Sequence, residues 1–408
     1  MKFRTDIIDE LMKKNIVIFG AGHIADEFCR EFIDILSISF FVSNNTLEKK
    51  VDINNRTFDV FRPEEKLIHN IDELVVICIE NFEPIEEQLF YMGYRYGEDY
   101  VDYRFFKWMT SGKKLAFSYG VCYMRSISEC LEKSDTFSKD HEVFCRLSYK
   151  DIKNYEYDAL AFMLQFCELY LYNSVLTKTE RTKNEFFLSI LPKSCITISI
   201  PIINFVGYHP QAVSDNFYDN RYCIVSKGTD WAPFLSADRN INAFIDEKMS
   251  CSEIVKKIGS RNFYEAGFLE KNYERELRRI AILEADSDII ISDFIKANRG
   301  KKRLFYNETH VSNEVIIELA KRVLRRIEYS DYLPELELLE RELLHTSEVP
   351  LYPSVICGLG LDVYLADNMT YRLFTFKGPK YVTFEEYVEQ YYEFCSDMKK
   401  YKLVGMFP

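Results

Sequence analysis

The sequence lacks any run of roughly 20 uninterrupted apolar residues, the length a membrane-spanning helix needs. Its longest candidate, residues 159–176, is broken by Gln165 and Glu168 and reads instead as a buried amphipathic helix. It also lacks a Cys-x-x-Cys pair and any short Cys/His spacing. The 11 cysteines stand singly along 408 residues, a length that needs no disulfide framework, so they read as reduced thiols without a structural zinc site. Residues 1–10 lack the apolar core and small-residue cleavage site of a secretory signal, and the expected location is the cytoplasm. Glycine and proline are scarce, 15 and 11 residues, which excludes collagen-like and low-complexity chains. An excess of positive charge is missing too. Lys and Arg total 52 against 64 Asp and Glu, a net charge of −12, so the surface as a whole repels nucleic acid and anionic lipid, and an anionic ligand needs a local cationic pocket.

What is present is a large apolar complement, 47% hydrophobic and 15% aromatic, enough for two or three domains. Residues 15–20 (NIVIFG) lead into Gly20-x-Gly22-x-x-Ala25 and a stretch with Ile24, Phe28, Phe32 and Ile35 on one face. This is strand, glycine turn, helix. Strands at 38–42 and 74–80, a polar segment through Asn55 and Arg56, and helix starts at Pro63 and Pro84 continue the alternation. They predict a Rossmann-like parallel sheet over residues 1–108. The pattern restarts with a strand at 114–118 and a helix at 123–132. Beyond it the chain reads as mostly helical, at 155–176, 238–247, from Ser250, 263–298, 312–329, 331–345 and 383–401, with strands at 196–207 and 303–306. The expected class is α/β, with residues 109–408 forming a larger, mostly helical α/β domain around a small sheet.

Four stretches carry residue types suited to chemistry. Gly20, Gly22 and His23 stand where a helix N-terminus holds a nucleotide phosphate. The acid that would hold an NAD ribose is replaced by Ser43-Asn44-Asn45, which argues against NAD and leaves a ligand-free packing turn as the alternative. The turn from Gly120 to Arg125 places Cys122 at a helix N-terminus, where a thiol is expected to be acidified, and suits an anion cradle or a nucleophile. The alternative is a small residue filling a tight turn. Gly207-Tyr208-His209-Pro210 follows a strand end, where loops carry sites. Arg299, Lys301, Lys302 and Arg303 form a basic knot able to neutralise a phosphorylated cofactor or merely to solvate a helix end, and His310 beyond it is a candidate general base. His69, His141 and His345 read as surface residues.

From about residue 115 onward the chain resembles the WcbI-type polysaccharide biosynthesis acetyltransferases. The blocks that carry the resemblance are Ser118-Tyr119-Gly120-Val121-Cys122-Tyr123, Asn204-Phe205-Val206-Gly207-Tyr208-His209-Pro210, Ser292-Asp293-Phe294-Ile295, residues 303–310 (RLFYNETH) and Leu351-Tyr352-Pro353-Ser354-Val355. Val121, Tyr123 and Thr309 depart from the family's usual Asn, Gln and Asn. Residues 1–108 resemble the small Rossmann-like domain appended to many sugar-modifying enzymes. The resemblance implies a CoA-dependent O-acetyltransferase using acetyl-CoA on a sugar or polysaccharide-precursor acceptor, with no nucleic-acid partner; a homo-oligomer is compatible with it. In that setting His310 or His209 is the base. The turn from Gly120 to Cys122 is an oxyanion or pyrophosphate cradle, Gly120, Val121, Tyr123, Arg125 and Tyr208 bind the cofactor, and Cys122 offers a covalent route beside the preferred direct transfer. Arg299, Lys301, Lys302 and Arg303 face its 3′-phosphate, and Asp293 orients a histidine or caps a helix. Two other readings stay open: a CoA- or sugar-nucleotide-binding scaffold with altered catalysis, and a sugar-nucleotide oxidoreductase or epimerase working through the N-terminal domain, whose ligand the sequence does not name.

Overall fold

The computed structural model describes residues 4–45, 50–148, 152–174, 178–213, 234, 236–337, 341–344, 347–364, 369–375 and 378–396. The first unit runs α1 (Arg4–Met12), β1 (Asn15–Phe19), α2 (His23–Phe32), β2 (Ile38–Val42), β3 (Lys50–Ile53), β4 (Arg56–Phe61), α3 (Pro63–Lys66), β5 (Glu73–Ile77), α4 (Glu83–Tyr91), β6 (Tyr100–Asp102) and α5 (Tyr103–Ser111). The strands lie in the order β3-β4-β2-β1-β5-β6, parallel except for the β3–β4 hairpin. Ile16–Phe19 and Leu74–Ile77 are buried on both faces, as central parallel strands covered by helices must be. The Rossmann-like expectation is met. The hairpin is new: the polar segment through Asn55 folds back because Asn54 and Asn55 both adopt left-handed conformations, φ 49° and 61°, the backbone of a two-residue hairpin turn.

The second unit begins with β7 (Lys114–Gly120), α6 (Cys122–Glu132), α7 (Phe137–Asp140), β8 (His141–Leu147), α8 (Asn154–Leu164), β9 (Cys167–Asn173), α9 (Lys178–Ile190) and β10 (Ile196–Ile200). Its four parallel strands are ordered β10-β9-β7-β8. The helix expected over 155–176 is therefore two elements. Its second half is β9, a strand interior to the sheet whose buried apolar run imitates a buried helix in sequence. The strand expected at 303–306 is reduced to one bridge between Phe305 and Val311. Then follow β11 (Ala212–Val213), β12 (Ala237–Asp238), α10 (Arg239–Asp246), α11 (Cys251–Ile258), α12 (Ala266–Glu284), α13 (Ser292–Ala297), α14 (Asn313–Arg326), α15 (Pro334–Glu337), α16 (Pro353–Leu359), β13 (Tyr371–Thr375), β14 (Gly378–Val382) and α17 (Phe384–Ser396). No helix among the described residues is long and apolar enough to cross a membrane.

The second sheet divides two cores. Ala116, Leu169, Leu171, Ile198 and Ile200 pack against α6, α12, α14 and α16. Leu115, Phe117, Tyr119 and Tyr170 join the core of the first unit, bridged by α5, whose Phe105 and Trp108 rings lie 5.0 Å apart and meet Phe162 and Phe166 at 5.8 Å. The helix α5 thus crosses position 108.

Candidate active site

In both sheets the chain reverses direction beside the first strand. The crevice outside the carboxyl ends of strands at such a point is where α/β sheets bind ligands. In the second sheet that point lies between β7 and β9, and it holds the turn from Gly120 to Tyr123 opposite Asn173.

Asn173, fully buried at the end of β9, holds this turn. Its Oδ1 accepts the Val121 N–H at 2.8 Å, and its Nδ2 donates to Tyr123 Oη at 2.8 Å and to the Ile200 carbonyl at 3.1 Å. Tyr123 Oη in turn donates to the Pro201 carbonyl at 2.5 Å. A Cβ at Gly120 would collide with Asn173 Oδ1, so only glycine admits this side chain. Val121 and Tyr123, expected against the cofactor, are accordingly engaged by the scaffold. Cys122 is half-buried. Burial pushes its thiol up, and the Tyr123 and Cys122 amides that face the sulfur offset this only in part, so the expected acidified thiol is not found. Desolvation outweighs the helix N-terminus here. Arg125, one turn along α6, is exposed.

The loop leaving β10 ties this turn to the histidines. Pro201 accepts from Tyr123, and the Phe205 N–H donates to the Glu308 carbonyl at 2.7 Å. His310 is half-buried. Asn307, itself buried, donates Nδ2 to the Ser347 carbonyl at 3.0 Å, and its Oδ1 accepts the Thr309 and His310 N–H groups at 3.0 and 2.9 Å. The same oxygen lies 3.1 Å from His310 Nδ1. An amide oxygen only accepts, so Nδ1 carries the proton and Nε2 is the basic nitrogen. Thr309 Oγ1 adds a contact to Nδ1 at 3.1 Å. His209 is 1% exposed. Its Nε2 lies 3.1 Å from the Val349 carbonyl, and Nδ1 is buried with no hydrogen-bond partner among the described residues. Burial lowers its pKa to about 4, so His209 is a neutral interior group; enclosure removes it as a base for a substrate. Tyr208 is also interior, stacked on Tyr273 at 6.0 Å, rather than facing a cofactor. His141, expected at the surface, is buried and stacks on Phe137 at 4.4 Å. His69 is exposed and meets Asp99 at 3.0 Å, and His345 lies outside the described residues.

The basic knot serves the fold. Arg299 binds Glu270 through both terminal nitrogens at 2.8 and 2.7 Å and lies 4.5 Å over the Tyr273 ring. Lys302 meets Glu314 at 2.6 Å, and Arg303 pairs with the buried Glu348. Lys301 donates to the Ala297 carbonyl at 2.9 Å. A phosphate would have to displace carboxylates already in place. Asp293 forms a two-bond pair with Arg322 at 2.7 and 3.0 Å and so holds a guanidinium, where a histidine was expected. Arginines that the sequence did not single out lie closer to the loop: Arg239 and Arg275 line a cavity of about 640 Å³ with Val206, Pro210 and Asn272.

In the first sheet, Gly20 adopts φ 124°, and a Cβ there would stand 2.7 Å from the Cys78 carbonyl. Close approach of β1 to the end of β5 accounts for this glycine without a ligand. Gly22 caps α2 and His23 opens it, exposed. Asn44, at the place of the missing acid, donates to Gln88 at 2.8 Å.

The neutral state of buried His209 predicts a pH effect. The unfolded chain takes up a proton near 6.5 that the fold refuses until about 4, so stability contributed by this site is complete above 6.5 and falls as pH drops between those values. Urea unfolding should show wild type losing about 2 kcal/mol more than His209→Gln between pH 7 and pH 5. Equal losses in the two proteins would refute the assignment.

Residues 116–332, more than half of the chain, match the family described as polysaccharide biosynthesis enzyme WcbI. A solved structure of WcbI, described as a novel polysaccharide biosynthesis enzyme, aligns with a TM-score of 0.55 at 20% identity, covering 70% of this chain and 90% of that one. Its description concerns the native protein without a disulfide bond between CoA and one of its cysteines. No curated protein matches the chain in sequence.

Proposed function

Since this chain belongs to the WcbI family of polysaccharide biosynthesis enzymes, we propose that it is a CoA-dependent O-acetyltransferase acting on a sugar hydroxyl of a polysaccharide precursor. The observation that carries this reading is His310, whose Nδ1 faces Asn307 Oδ1 and whose Nε2 is left basic. That is the arrangement of a general base for a hydroxyl. Support for CoA comes from two features: Cys122 at the switch point of the sheet, on an element inside the matched region, and the mention of CoA in the description of the solved WcbI structure, which is there without a disulfide to one of its cysteines.

The donor set fits such a ligand in part. The amides of Cys122 and Tyr123 gather at one sulfur-bearing position, and Arg239 and Arg275 bring guanidinium groups to the cavity beside the His209 loop. In the knot from Arg299 to Arg303, Arg299, Lys302 and Arg303 are paired with carboxylates and Lys301 donates to a backbone carbonyl. Bound acetyl-CoA would supply an activated acyl group, its thioester C–S bond breaking as the ester C–O bond forms and CoA leaving as its thiol. His310 Nε2 takes the proton from the attacking hydroxyl, and Asn307 Oδ1 holds the ring and stabilises the cation that forms. Cys122, held as a thiol by burial, is a poor nucleophile near neutral pH, which favours direct transfer over a covalent acyl-enzyme.

Thermal unfolding with ligands tests the cofactor. CoA and acetyl-CoA at about 100 times their dissociation constant should stabilise the fold by about 2.7 kcal/mol, while NAD leaves the midpoint unchanged. No shift with either CoA species at millimolar concentration would defeat the reading.

A further inference from the structure

A cavity lined by described residues lies in a cleft between the first unit and the edge strand β8, and its lining includes Arg125 but not Cys122. Its volume is about 880 Å³, within the range of small-molecule sites. One wall is built by α4, the residues before it and the end of β6, all upstream of the region that matches the family. The cleft therefore exists only because the first unit is present.

Glu86 of α4 lines this cleft and is 4% exposed. No hydrogen bond reaches its carboxyl group among the described residues, whereas the two carboxylates beside it are satisfied. Asp102 accepts from Tyr96 Oη at 2.6 Å and from the Arg104 and Phe105 amides at 3.0 and 3.1 Å. Glu156 accepts from the Lys153 amide at 2.7 Å and pairs with Arg146. Burial, then Asp102, Glu156 and Glu83, push Glu86 up to about 9 against the pull of Arg146. Near neutral pH it is a carboxylic acid, both a donor and an acceptor. Its natural complement is a group that also donates and accepts, which is a hydroxyl.

The rest of the lining agrees. Phe82, half-buried on the lining with the Arg104 guanidinium 4.9 Å from its ring centroid, is an aromatic ring suited to the C–H face of a sugar ring. The carboxyl groups disfavour an anionic ligand. Arg104, Arg125, Arg146 and Arg341, also on the lining, disfavour a cationic one, and no group of side chains among the described residues is arranged to hold a metal ion.

We propose that this cleft binds a neutral saccharide unit, with Glu86 hydrogen-bonded to a sugar hydroxyl and Phe82 packed on the ring. The site stands whether or not the protein transfers acetyl groups, because it shares no residue with the candidate base or with Cys122.

The test is binding of the full chain to an array of neutral oligosaccharides, without CoA. Wild type should bind at least one of them. Glu86→Ala and Phe82→Ala should each weaken that binding at least about tenfold, whereas Glu86→Gln, whose amide also donates and accepts, should retain it. Thermal midpoints of the variants near that of wild type separate lost binding from lost folding. CoA binding measured on the same three variants should match wild type, so failure of the cofactor reading is seen separately. Binding confined to amino sugars or anionic glycans, binding to none, or binding unaffected by the alanine variants would overturn the proposal.

Discussion

Replacing His310 by alanine should lower acetyl transfer by about 10²- to 10⁴-fold while leaving CoA affinity and the thermal midpoint nearly unchanged. The size follows from the geometry around Asn307. That side chain is buried and its orientation is fixed from both ends, by donation to the Ser347 carbonyl and by acceptance from two backbone amides. It holds His310 with Nδ1 protonated. An Asn307→Asp variant loses the donation to the Ser347 carbonyl and should cost stability, while the carboxylate beside Nδ1 should raise the basicity of Nε2 and move the acidic limb of the pH–rate profile upward. Loss in His310→Ala should appear in kcat, because the ring acts on a proton that moves only in the transition state. If transfer persists within about tenfold of wild type, the base is another group, and buried His209, closed to solvent, is a poor substitute.

Replacing Asn173 by alanine should destabilise the protein by about 3–4 kcal/mol and abolish CoA binding with it. Three hydrogen bonds leave together, each worth about 1 kcal/mol net, and the Val121 amide loses its acceptor beside a new cavity, while Tyr123 Oη keeps its bond to the Pro201 carbonyl. Gly120→Ala attacks the same contact from the other side, since its Cβ and Asn173 Oδ1 cannot both be accommodated. Urea unfolding of the two single variants and the double variant should show strong non-additivity, because both break one contact. Near-additive losses would mean that Asn173 acts apart from the turn.

The parallel parts of both sheets were legible where an apolar run met a glycine turn and an amphipathic helix, as at Ile16–Gly20 and Leu115–Gly120. The β9 strand was not. Its alternation of Leu169 and Leu171 with Tyr170 and Tyr172 is apolar on both faces, and a doubly buried strand carries no period that separates it from a helix. The β3–β4 hairpin was hidden because its turn is Asn-Asn rather than Asn-Gly. Among site residues, His310 and Cys122 stood out through their local context. Asn173 did not, since its role exists only across 52 residues of chain separation. Glu86 was equally silent, one acid among 64 in the sequence until burial and its neighbours set it apart. The basic knot misled in the opposite direction: four cations in five residues looked available because Glu270, Glu314 and Glu348 are distant in sequence.

The central claim, that CoA meets this chain at the turn holding Cys122, is tested most directly by mass spectrometry after incubation with CoA disulfide. Thiol–disulfide exchange forms one protein–CoA disulfide and releases one CoA thiol, with the thiolate as attacking group. The predicted result is a single adduct mapped to Cys122, forming faster as pH rises toward its elevated pKa, competed by excess acetyl-CoA, and absent in Cys122→Ser. An adduct only at exposed Cys357, or one at Cys122 that acetyl-CoA does not slow, would contradict it.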